Sequence, residues 1–194
     1  LQRMVPYAVK KFGFDPDKQP PYLTLALGAG SVTPMQLASA YAVFANGGYR
    51  VNPTLIRKLT DANGKTLNET ISPDLDESMR VLEARNAFVM NSLLEEVARS
   101  GSAQRATAAL KRTDIAGKTG TTNDAFDAWF AGYQRQRVAV AWMGYDAPRK
   151  LGESARDTGG GLALPIWIDY MASALKGIPN EEMTAPEGVV NLNG

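Results

Sequence analysis

The chain contains no cysteine and no histidine. Without cysteine there are no disulfides and no thiolate metal sites, although this does not fix the compartment. Without histidine, a Ser-His-Asp triad, a Cys-His dyad and His-ligated zinc are all excluded within these residues. Nucleophilic chemistry here needs another kind of base or electrostatic helper, and lysine is the obvious candidate. No apolar run approaches the roughly 18–20 residues that span a bilayer. Charge of either sign is also scarce as a net quantity: 21 basic and 20 acidic residues leave +1. With the basic residues scattered, nucleic acid is not an expected partner, nor is an anionic lipid surface.

What is present is an ordinary globular composition. Apolar residues make up 44% of 194 residues, enough for one domain with a core. The start, Leu1-Gln2-Arg3-Met4, has no signal-peptide architecture and reads as the inside of a longer protein. Pro6 and Gly13 bracket a short helix over 6–12, and the prolines at 16, 20 and 21 mark a loop. Thr33-Pro34-Met35-Gln36 carries the residues of a capping box. Behind it Leu37, Tyr41 and Phe44 recur at helical spacing until Asn46-Gly47-Gly48. Asn63-Gly64 predicts a type I′ hairpin within 54–68, and the acidic stretch from Asp74 to Glu83 reads as a solvated connection. Helices are expected over 84–99, about 103–110 and about 164–175. Strands are expected over about 113–121, 128–133 and 138–145, joined by Gln134-Arg135-Gln136-Arg137. A charged, glycine-rich loop fills 146–161. This order predicts an α+β fold, an antiparallel sheet flanked by helices.

The segment that carries chemistry is Asp114-Ile115-Ala116-Gly117-Lys118-Thr119-Gly120-Thr121-Thr122-Asn123. A phosphate-binding loop fails twice. The position five before Gly117 is Arg112 rather than glycine, and the residues after Lys118 are poor helix formers. Lys-Thr-Gly on a strand fits acyl transfer better. Lys118 brings a cation, Thr119 and Thr121 bring hydroxyls for a peptide's terminal carboxylate, and Gly120 removes a side chain where a backbone must come close. An extended peptide can pair with such a strand edge. Alternation sends Lys118 and Gly120 to one face and Thr119 and Thr121 to the other. All four therefore serve one site only if it lies along the strand's edge.

Three segments resemble the class A penicillin-binding proteins, in that family's order. Ile115 to Tyr133 (IAGKTGTTNDAFDAWFAGY) resembles the active-site strand and following hairpin. Leu27 to Leu55 (LGAGSVTPMQLASAYAVFANGGYRVNPTL) resembles the helix after the family's second motif. Thr158 to Met171 (TGGGLALPIWIDYM) resembles its closing helix. The resemblance implies a β-lactamase/transpeptidase-like partial domain over 1–178, with 179–194 an extended tail. It implies that Lys118 lies beside the nucleophile, that Thr119 and Thr121 hold the donor's carboxylate, and that the Thr121 N–H is half of an oxyanion hole. Trp129 is expected in the core, and Asp124 and Asp127 as solvated loop carboxylates. The family's other motifs, Ser-x-x-Lys and Ser-x-Asn, are missing in order. Ser173-Ala-Leu-Lys176 has the right residues but follows Lys118 and falls in the closing helix, so it reads as chance.

The parent implied by the resemblance is a peptidoglycan D,D-transpeptidase, a serine acyltransferase that cross-links stem peptides and is acylated by β-lactams. Its expected partners are those peptides, β-lactams and the N-terminal remainder of the same domain. No cofactor and no metal is implied. The parent's anchor would be the link to the bacterial inner membrane, with this segment on the periplasmic side and a glycosyltransferase domain upstream. The chain alone is expected to be inactive, its nucleophile lying before Leu1. A non-catalytic complementing module and a β-lactamase of the same fold are the other readings.

Overall fold

In the computed structural model the described residues are 2–72, 74–154 and 156–190. Leu1, Pro73, Ala155 and the last four positions of the expected tail, 191–194, lie outside them. Helix α1 (Met4–Phe12) ends where Gly13, at φ +73°, closes onto the Val9 carbonyl. Helix α2 (Pro34–Ala45) starts with the capping box the sequence predicts. The Gln36 N–H donates to Thr33 Oγ1 at 3.1 Å, and the Thr33 N–H donates to Gln36 Oε1 at 2.9 Å. An exposed hairpin, β1 (Lys58–Thr60) and β2 (Thr66–Glu69), precedes α3 (Ala84–Arg99) and α4 (Gln104–Leu110). Strands β3 (Ala116–Thr121), β4 (Ala128–Gln134) and β5 (Arg137–Met143) follow, and α5 (Leu164–Ala174) closes the order.

The three long strands form one antiparallel sheet in the order β3-β4-β5. The register pairs Lys118 with Ala131, Gly120 with Trp129, and Trp129 with Trp142. One face buries Ile115, Ala128 and Phe130 against Leu164, Trp167 and Met171 of α5 and against Ala103 and Ala106 beside and within α4. The other face sets Ala116 and Tyr133 against Ala45 of α2 and Leu94 of α3. Gly117 and Gly132 are glycine because the Phe130 ring lies where their side chains would be, 2.7 Å from either Cβ position. The α+β architecture is the expected one: an antiparallel sheet with helices on both faces.

Four local expectations are corrected. The hairpin turn is not type I′, because that turn needs positive φ at both central residues and only Gly64 has it. The Asp61 carboxylate instead accepts the N–H groups of Asn63 and Lys65, both at 2.9 Å, and shapes a wider turn. The acidic connection is not simply solvated. Tyr49 pairs with Arg80, whose guanidinium lies 4.2 Å over the Tyr49 ring and donates to Glu77 and the Gly47 carbonyl. The expected linker 134–137 contracts to a turn at Arg135-Gln136, with Gln134 wholly buried. The expected loop 146–161 ends in a wide π-type turn, Gly159–Ala163, packed under the sheet and leading into α5.

Candidate functional site

The candidate site is the outer border of β3. Among the described residues β3 pairs only with β4, so its other edge is free. Which backbone groups point outward follows from the ladder. The Thr122 N–H donates to the Asp127 carbonyl at 3.1 Å, so Thr122 and Asp127 face each other as a hydrogen-bonded pair. Alternation then makes Gly120 and Lys118 bond to β4, and turns the N–H and C=O groups of Thr119 and Thr121 outward. Lys118 and Thr121 are exposed and Thr119 is partly so.

This geometry answers the question that strand alternation raises. Lys118 leaves the opposite face from Thr119, but its chain curls over the free edge. Its Nζ donates to the Thr119 carbonyl at 2.9 Å and lies 3.5 Å from Thr119 Oγ1. The cation, the Thr119 hydroxyl and the outward N–H groups thus reach one border. Among the described residues no carboxylate forms an ion pair with Lys118. No group of acidic residues among them is placed to hold a metal ion.

Two neighbours of the border carry no signal in the sequence reading. Ser102, between α3 and α4, puts its Oγ 2.7 Å from Thr119 Oγ1. The Gly159 N–H donates to Thr121 Oγ1 at 3.0 Å. Gly159 lies so close to the strand that a Cβ there would be 2.4 Å from the Gly120 carbonyl oxygen and 2.3 Å from that of Trp129. The packing of this turn against the strand therefore requires a glycine at position 159. A Cβ on Gly120 itself would meet Trp129 Cβ at 3.3 Å.

Two expectations about nearby side chains are corrected. Trp129 is not a core residue; Phe130 is. Trp129 lies half-buried on the Lys118 face and stacks with Trp142, ring centres 5.9 Å apart. Asp127 is not merely solvated, since it accepts the Trp142 Nε1–H at 2.8 Å. Asp124 is exposed, as expected. Ser173 and Lys176 are both exposed at the far end of α5, consistent with a chance match to Ser-x-x-Lys.

The foot of β3 is held by a buried polar cluster. Arg112 grips both oxygens of Asp114, at 2.8 and 2.7 Å, and donates to the carbonyls of Ile178 and Pro179. Asp114 also accepts from Gln134 and from the Glu181 N–H. Burial pushes the Asp114 carboxyl up, but the bonds from Arg112, Glu181 and Gln134 outweigh it and hold the group below its ordinary value. Residues 180–182 are thereby tied down, with Glu181 reaching Arg135 and Glu182 reaching Thr113. Nearby, the Tyr133 hydroxyl donates to Asn91 at 2.9 Å, and burial raises its pKa strongly.

The penicillin-binding protein transpeptidase domain family matches residues 10–166 of this chain. The chain belongs to that family. It is 45% identical over 188 residues to penicillin-binding protein 1A of Neisseria gonorrhoeae, which covers 96% of this chain and 23% of that protein. It is 38% identical over 238 aligned residues to penicillin-binding protein 1A of Pseudomonas aeruginosa, covering 99% of this chain and 28% of that protein. The crystal structure of penicillin-binding protein 1A from Haemophilus influenzae superposes with a TM-score of 0.85 at 33% identity, over 94% of this chain and 32% of that one. The PonA1 protein from Mycobacterium tuberculosis, solved in complex with penicillin V, superposes at 0.65 with 26% identity, over 96% and 51%. This chain thus spans only 23–28% of the length of those two penicillin-binding protein 1A relatives.

Proposed function

We propose that this chain forms the substrate-gripping wall of a serine-type D,D-transpeptidase. The donor is the D-Ala-D-Ala end of a peptidoglycan stem peptide. It lies along the free edge of β3, and its terminal carboxylate is held by Lys118 and by the Thr119 and Thr121 hydroxyls. Gly120 leaves the strand narrow at that point. A serine carried by an upstream segment of the parent attacks the carbonyl between the two D-alanines. The Thr121 N–H, which points out of the ladder, is one donor to the oxyanion that forms. D-Alanine leaves, and the acyl group passes from the serine to an amine on a second stem. A β-lactam with its own carboxylate occupies the same groups and acylates the same serine.

In this reading residues 1–178 are the C-terminal portion of the transpeptidase domain, and 179–194 are a tail whose first residues, 180–182, are tied to the foot of β3. The chain by itself is inactive, because the nucleophile comes from the N-terminal remainder of the domain. No helix among the described residues is long and apolar enough to cross a membrane. The link to the inner membrane, with the site on its periplasmic side, belongs to the parent.

The observation that carries the proposal is the convergence, on one strand edge left free among the described residues, of a lysine with no carboxylate partner among them, the Thr119 hydroxyl and outward N–H groups. The test is labelling of the full-length protein with a fluorescent penicillin. Lys118→Ala is expected to slow labelling roughly tenfold to a hundredfold, the worth of a hydrogen bond to a charged group. Its thermal stability should move little, because Lys118 is exposed. Undiminished labelling would overturn the reading and leave this border a structural edge.

A further inference from the structure

Ser102 is placed to act on ligand binding without itself being one of the strand's gripping groups. It sits in a tight junction. Gly101 closes α3 with its N–H on the Val97 carbonyl, and a Cβ there would lie 3.0 Å from Val97 Cα. Ala103, on the other side, is wholly buried in the core cluster. The Gln104 N–H then bonds back to the Gly101 carbonyl. The serine is therefore held in place, with its hydroxyl turned to Thr119 Oγ1 at 2.7 Å.

We propose that Ser102 is a positioning residue, which aims the Thr119 hydroxyl at the carboxylate of the bound peptide or β-lactam. A threonine hydroxyl has one proton to give and two lone pairs to receive. Lys118 Nζ and Ser102 Oγ approach Thr119 Oγ1 at 3.5 and 2.7 Å. When both donate, the oxygen's accepting capacity is filled. The hydroxyl's own proton is left for an anion at the free edge. If Ser102 is removed, the Thr119 hydroxyl is free to rotate and to spend its proton on water. The bond joins residues 17 positions apart, so α4 and β3 must both be in place for the grip to be preset.

The inference rests on the proposed transpeptidase reading and makes a narrower claim. Its test compares acylation of the full-length protein by benzylpenicillin and by the neutral methyl ester of the same compound. Taking the ratio of the two rates on one preparation cancels any loss of folded protein. Wild type is expected to favour the carboxylate form. Ser102→Ala should shrink that preference roughly two- to tenfold, the worth of one neutral hydrogen bond. Ser102→Thr, which keeps the hydroxyl, should restore it. An unchanged ratio in Ser102→Ala, with the wild-type preference intact, would overturn the positioning role alone. A ratio equally reduced in Ser102→Thr would overturn it too. Wild-type protein that shows no carboxylate preference would sink both this inference and the reading beneath it.

Discussion

The foot of β3 and its tip are built on opposite terms. At the foot, Asp114 is almost wholly buried and both of its oxygens are answered: Arg112 donates to Oδ1, and Arg112, Gln134 and the Glu181 N–H donate to Oδ2. At the tip, Lys118 is exposed with no carboxylate beside it, and the Thr119 and Thr121 backbone groups face outward. A buried charge tolerates no missing partner, because desolvation is costly unless each lone pair is satisfied. The proposed binding edge needs the reverse. Its donors must be held in position yet still have bonds to give. The strand is fixed at one end so that the other can stay unfilled.

The largest effect should come from breaking the foot. Arg112→Ala leaves Asp114 buried without its cation, and roughly 3–5 kcal/mol of local stability should be lost. Hydrogen exchange of the β3 amides in the full-length protein would measure it; unchanged protection would show that the cluster anchors nothing. Next comes Gly159→Ala, whose new Cβ would press on the carbonyl oxygens of Gly120 and Trp129. About 1–3 kcal/mol of strain is expected. Penicillin labelling should fall with it, since Gly159 also bonds Thr121; retained labelling would mean the tip is independent of the turn beneath it. A smaller, graded effect is expected from acid. Asp114 binds its proton less readily folded than unfolded, so its contribution is complete above its ordinary value of 3.8 and drains away as pH falls through and below it. Asp114→Asn should flatten that part of the stability profile, and an unaltered profile would assign the acid sensitivity elsewhere.

The elements were legible because their signals are local. A capping box spans three residues, a left-handed glycine stops a helix at once, and the Lys118 tetrad can be read on a strand from its own neighbours. The misread features depended on partners far along the chain. Nothing near Trp129 tells that Phe130, not it, meets Trp167, with ring centres 4.9 Å apart. Nothing near Asp127 announces Trp142. The tail after Gly177 looks merely extended in sequence. Yet Arg112 reaches 66 and 67 positions forward to hold its carbonyls.

By itself, then, the sequence determined the elements and named Lys118, Thr119, Gly120 and Thr121. Backbone propensity and hydrophobic period act over a few residues and leave a mark wherever they act. Tertiary structure alone decided that β3 is an edge strand, that Lys118 folds over that edge, and that Ser102 and Gly159 stand beside the two threonines. Those contacts join positions 17 and 38 apart. They arise from how α4 and α5 pack on the sheet, which no local pattern encodes.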